Sequence, residues 1–152
     1  MNIEKKLVDL NIQLHEAPAP VGAYVAFKKV NNMLFISGQL PIGLDGKMIK
    51  GKIGKDLTLE DGQKASKLCV INILAQAKKA MNGDLNKLKN CIKITGFVNS
   101  SDNFIDQPKV INPASETLST VLGDKGKHAR AAVSANSLPL GAAVEIDAIF
   151  EI

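Results

Sequence analysis

Arginine occurs once in this chain of 152 residues, at Arg130, against eighteen lysines. A guanidinium is planar, stays charged at any biological pH and grips a carboxylate or phosphate through two parallel hydrogen bonds, which an ammonium cannot do. A sequence that uses lysine for ordinary surface charge thus marks Arg130 as a residue kept for geometry. Further on, the run VEIDAIFEI places Glu145, Asp147 and Glu151 at alternating positions. A fixed cation can hold a small anion, and a carboxylate nearby can orient or deprotonate a water. His128, two residues before the arginine, is the one candidate base of its type near these residues, although a histidine at that spacing is more often a solvated neighbour.

These residues fall on two predicted strands. Ala129 to Ala135 is small and β-branched, Asn136 to Gly141 reads as a turn, and Ala142 to Ile152 alternates cleanly. Period two puts Val144, Ile146, Ala148, Phe150 and Ile152 on one face and the acids on the other. Arg130 shares its face with Ala132 and Ser134, joined by His128 if the strand begins that early. If the two strands pair with polar faces together, Arg130 and Glu145 approach one another. An ordinary solvated face with a cross-strand ion pair accounts for the same pattern.

HARAAV, then LPLG, then VEIDAIFEI to the end, resemble in order and spacing the C-terminal signature of the Rid family (YjgF type, also labelled endoribonuclease L-PSP). The likeness is greatest to its longer branch with a helical N-terminal extension. APAPVGAYVAFKKVNNMLFISGQLP is similar to a second block of that family, one that lines the ligand pocket. The resemblance implies a chorismate-mutase-like fold that trimerises around a central barrel, with pockets between subunits. It implies hydrolysis of reactive 2-imino or enamine acids to 2-oxo acids and ammonia without a cofactor. In that picture Arg130 holds the substrate carboxylate, Glu145 orients or deprotonates water, and Tyr24, Ser37 and Gly38 shape the pocket. Asn112 faces the site, and Ala132 stands where many deaminating members carry Cys, a departure that bears on pocket shape and substrate. On residue type alone, Tyr24 reads as packing, Gly38 as a turn residue and Asn112 as a helix cap.

Length and composition predict one domain over 1–152, with 1–16 as the helical extension. The N-terminus carries scattered charge and no apolar leader segment, so a soluble, cytoplasmic protein is expected. Cys69 and Cys91 lie in apolar surroundings outside any CxxC or Cys/His cluster and read as core. The formal charge of +4 comes from scattered lysines. With aromatics at 4% and one Tyr, a stacking platform for nucleic acid is hard to assemble. No metal cluster or phosphate-cradling loop is legible, and neither His is paired with a Ser or Cys at a recognisable motif.

The remaining elements follow from period and punctuation. Ile3, Leu7, Leu10 and Leu14 make the stripe of a helix ending near His15. Two prolines lead into a strand over Ala23 to Lys29, and Asn31-Asn32 turns it into Met33 to Ser37, ahead of a Ser37-Gly38-Gln39 turn. Residues 42–55 read as an exposed, mobile loop. Thr58 with Asp61 is a near capping box for a helix running to about Met81, closed by Asn82-Gly83. Leu85 to Leu88 is a connector, Cys91 to Asn99 a central strand, and a last helix opens with Asn112 as cap, Pro113 at its first position and Gly123 beyond its end. The order α, β, β, α, β, α, β, β predicts an α+β sandwich, a mixed sheet with helices on one face. The opposite face, assigned Arg130, Glu145 and Asp147, is expected to be a subunit interface. Three functions fit: a deaminase, a carboxylate-binding trimer without turnover and, ranked last, an endoribonuclease.

Overall fold

The computed structural model describes residues 2–152. Its elements come in the expected order: α1 (Ile3–Asp9), β1 (Phe27–Val30), β2 (Met33–Gln39), α2 (Leu59–Ala80), β3 (Asn90–Asn99), α3 (Gln107–Leu122), β4 (Ala129–Ala135) and β5 (Val144–Glu151). Five strands form one sheet in the order β1-β2-β5-β3-β4. Every neighbouring pair is antiparallel except β3 and β4, which run parallel. A parallel pair requires a crossover, and α3 is that crossover.

Both long helices cover the same face of the sheet. α2 packs over β2 and β5 while α3 packs over β3 and β4. The alternation of β5 makes this possible: Val144, Ile146, Ala148 and Phe150 are buried beneath the helices, and the residues between them look outward. α3 lies close to β3 at Gly96, where a Cβ would come within 2.6 Å of the Ile111 side chain.

The capping box of α2 is complete: Thr58 Oγ1 accepts from the Asp61 backbone N–H at 3.2 Å, and the Asp61 carboxylate accepts from the Thr58 N–H at 3.0 Å. The bond from the Thr58 N–H, with a second from the Thr58 hydroxyl at 2.9 Å, holds the Asp61 carboxyl below its usual range. Both cysteines are buried, as expected.

Four local expectations are corrected. The first helix stops at Asp9, because Asn11 takes a left-handed conformation, φ 53°. Its buried Ile3 and Leu7 dock it against α3 and the turn Leu85–Lys87. β1 begins at Phe27 rather than Ala23. Residues 37–39 belong to β2, which carries a register shift between Ile36 and Gln39 in place of a turn. Residues 42–55 are not simply an exposed loop: Ile53 is fully buried and bonded to Asn99 and Ser101, and Lys52 Nζ donates to Asn99 Oδ1, Ser100 O and Asn136 O.

The start of α3 is also corrected. The helix opens at Gln107 behind Asp106, with Pro108 in its first turn, so Asn112 and Pro113 lie inside it. Pro113 lacks the N–H that would bond Lys109 O, and Gln63 Nε2 from α2 donates to that carbonyl at 3.0 Å instead. The freed acceptor is satisfied by a neighbouring helix, which is why the proline is tolerated there.

Candidate functional site

The expected site residues separate into two groups on opposite faces of the sheet. Arg130 lies on edge strand β4, level with Ile94 of β3 and, beyond it, Ala148 of β5. Both of those are buried under the helices, so Arg130 points to the helix face. Glu145 is level with Phe97 of β3 and looks out from the other face. The expected pairing of the last two strands fails because β3 runs between them. Two strand spacings, about 10 Å, and the thickness of the sheet separate the arginine from the acid. Asp147 shares the outer face with Glu145, as expected; Arg130 does not.

The Arg130 group is held by α3. Arg130 Nη1 donates to Asn112 Oδ1 at 3.0 Å and to Ser115 Oγ at 3.2 Å, and Nη2 approaches Pro108 O at 3.5 Å. Three of five donors are therefore engaged, and Nε–H and one Nη2–H have no partner among the described residues. Ala132 follows on the same face, packed against the core. Asn112 thus bonds the arginine from inside the helix and is not its cap. Ser115 also contacts His128: Oγ and Nε2 are 2.9 Å apart, and His128 Nδ1 lies 2.6 Å from Gly126 O.

The Glu145 group lines a cleft of about 390 Å³ together with Pro18, Tyr24, Gly38, Leu40 and Leu140. Burial, with the Asp147 charge adding to it, pushes the Glu145 carboxyl above its usual range. No hydrogen-bond donor reaches that carboxyl among the described residues. Gly38 lies directly against it: a Cβ there would meet the Glu145 carboxylate and force that side chain to move. Tyr24 Oη accepts from Val21 N at 3.2 Å, tying two of the lining residues together. The Ser37 hydroxyl is spent behind the wall, donating to Val25 O at 2.7 Å. Leu140, at the lip, takes φ 59° and ψ 15°, a left-handed conformation unusual for a branched side chain.

Two residues absent from the sequence reading hold this cleft in shape. Asn72 Nδ2 donates to Leu40 O and Ile42 O at 2.8 and 3.1 Å, and Gln76 Nε2 donates to Pro18 O at 2.7 Å. Both are buried on α2. The available signal was two amides four residues apart inside an otherwise apolar stretch, since buried polar groups demand partners.

Neither cysteine is suited to nucleophilic work. Burial pushes the Cys69 thiol well up and that of Cys91 to about 12. Among the described residues, no three His, Cys, Asp or Glu side chains gather as a metal site would need. Among the described residues, no helix is long and apolar enough to cross a membrane.

The family described as "YjgF/chorismate mutase-like, putative endoribonuclease" matches residues 4–151. Protein TCP17 of Trypanosoma cruzi is 40% identical over 151 residues, 99% of this chain and 94% of that protein. The solved structure of Atu1372 from Agrobacterium tumefaciens, described as of unknown function, superposes with a TM-score of 0.89 at 48% identity, covering 99% of this chain and 93% of that one. RidA from an Antarctic Psychrobacter is 28% identical with a TM-score of 0.62, covering 90% and 94%. The chain belongs to the YjgF, or Rid, family, as its C-terminal blocks implied, and it has the mixed sheet and one-sided helices of that fold.

Proposed function

We propose that this protein is a cofactor-free deaminase that hydrolyses reactive 2-imino or enamine acids to 2-oxo acids and ammonia. The observation that carries the reading is the division of the site. A guanidinium with two unspent donors stands on one face of the sheet, and a desolvated, unpaired carboxylate in a small cleft stands on the other. Neither group is a complete site, and each lacks what the other has.

A second copy resolves this. The outer face carries Phe35, Phe97, Val133 and Ile149 among its polar residues, with Phe35 at 43% and Val133 at 44% exposure. An apolar sheet face of this kind calls for cover. A homotrimer joined by that face, as the family resemblance implies, sets the Glu145 cleft of one copy beside the Arg130 edge of the next.

The chemistry then follows from the residues. The free Nε and Nη2 donors of Arg130 hold the substrate carboxylate, and Glu145 takes a proton from a water that adds to the C=N carbon. The nitrogen gains a proton, and collapse of the carbinolamine expels ammonia and leaves the 2-oxo acid. A raised carboxyl is a better base than an ordinary one, and the apolar walls keep bulk water from competing with the oriented one.

The test follows ammonia or 2-oxo acid release from imino acids generated in situ, comparing the native protein with Arg130→Ala and Arg130→Lys. Acceleration by the native protein and its loss in both variants, with the fold retained, supports the reading. Full activity in Arg130→Lys would remove the bidentate role. If the native protein gives no acceleration, the cleft is a carboxylate-binding site without turnover. The endoribonuclease description of the family ranks last, because the lysines form no run longer than two and Tyr24 is the single tyrosine.

A further inference from the structure

Ser115 departs from the habit of helical hydroxyls. A Ser or Thr inside a helix commonly bonds back to the carbonyl of the preceding turn, and Thr117 does so, donating to Pro113 O at 2.7 Å. Ser115, two residues earlier in the same helix, instead reaches across to His128 at 2.9 Å.

The Gly126 carbonyl orients this chain of hydrogen bonds from one end. Gly126 O can only accept, so His128 Nδ1, 2.6 Å away, carries the hydrogen. In the neutral imidazole Nε2 is then bare and accepts, so the Ser115 hydroxyl donates to it. Arg130 Nη1 donates to Ser115 Oγ at 3.2 Å, which occupies one lone pair and leaves the other open. Gly126 allows this arrangement: a side chain there would run into the Leu118 carbonyl, so only glycine lets the turn lie against α3 with its carbonyl under the imidazole. A hydroxyl on a base, and the base oriented by a third group, is the diagnostic geometry of an activated nucleophile.

We propose that Ser115 and His128 form a nucleophilic dyad that accepts acyl groups from activated esters or thioesters carrying a carboxylate close to the reacting carbonyl. Arg130 selects the charge. Ser115 Oγ attacks the carbonyl carbon as its proton passes to His128 Nε2. The C–O or C–S bond breaks, and the leaving oxygen or sulfur takes that proton from Nε2. Water then attacks the acyl-serine, giving one proton to Nε2, and the proton returns to Oγ as the acid departs. The orienting group is a carbonyl without full charge, so the imidazolium is less stabilised than beside a carboxylate, and reactive acyl donors are the class that suits it.

The experiment treats the whole protein with mono-4-nitrophenyl glutarate and, separately, with an uncharged fluorophosphonate, and locates the adduct by peptide mass spectrometry. The expected result is a nitrophenol burst stoichiometric with protein and an adduct on Ser115. Both disappear in Ser115→Ala, and His128→Gln slows acylation by about 10²–10⁴-fold, the usual contribution of a general base. An unlabelled Ser115 in the folded native protein, an adduct confined to lysines, or equal acylation rates in His128→Gln would each overturn the proposal. The native-protein arm decides even if a variant fails to fold. No imino acid enters the assay, so its outcome is independent of the deaminase reading.

Discussion

The two halves of the candidate site solve opposite problems. Around Arg130 hydrogen bonds fix the side chain and leave two of its donors free: Asn112, Ser115 and the Pro108 carbonyl hold the guanidinium, and α3 backs all three. Around Glu145 the walls are largely apolar, and burial is the chief cause of its raised carboxyl. A cation keeps its charge at any biological pH and needs only orientation, which hydrogen bonds supply. A base must be both ionisable and reluctant to stay ionised, which desolvation supplies. The halves are therefore built by different means from the same sheet, one on its core-facing edge and one on its open face.

The largest way to break the comparison is Glu145→Gln. It is expected to lower kcat for imine hydrolysis by about 10²–10⁴-fold. The native acid limb of kcat/KM should lie above the ordinary carboxylate range, because burial and then Asp147 raise the group, and the limb should vanish in the variant. Stability gives an independent reading with a definite sign. The folded state holds this proton more tightly than the unfolded chain, so native stability falls as pH rises from the ordinary glutamate value through the raised one. Glu145→Gln should flatten that part of a stability–pH curve, and an unchanged curve would show that Glu145 is not perturbed.

Asn112→Ala sharpens the other half. Removing one hydrogen bond, about 0.5–1.5 kcal/mol, predicts a KM raised by up to about tenfold as the guanidinium loses orientation. The acid limb set by Glu145 should not move. A shifted limb would mean that the halves are coupled within one chain, contrary to their separation across the sheet.

The mildest outcome is a recovery. If each site takes Arg130 from one copy and Glu145 from the next, Arg130→Ala and Glu145→Gln chains refolded together in equal amounts should regain about a quarter of native activity, since about a quarter of the interfaces then join two intact halves. No recovery in verified mixed trimers would sink the shared site.

Much of this was legible in the chain, for reasons that particular residues make clear. The capping box of Thr58 and Asp61, the apolar face of α2 and the alternation of β5 are local signals. Their physics lies within a few residues, and the structure follows them. The N-terminus of α3 misled because two prolines stand five apart, and either could open a helix. Pro113 sits inside it only because Gln63 from α2 satisfies the carbonyl it leaves free. The facing of Arg130 was lost with the strand order. Period two says which residues share a face with Arg130, but which face that is depends on β3 running between β4 and β5. Ser115 was unreadable beside His128, because a helix, a turn and a strand start must fold together before the two meet.

By itself the sequence determined the order of elements, the helix-covered face of β5, the singular arginine and the family, since each rests on residue type and short-range spacing. The tertiary structure alone decided that Arg130 and Glu145 look away from each other, that Asn72 and Gln76 hold the cleft, and that Ser115 is bonded to a histidine. Those facts depend on strand order and helix docking, which arise from burying the whole apolar surface at once and are encoded in no single stretch of the chain.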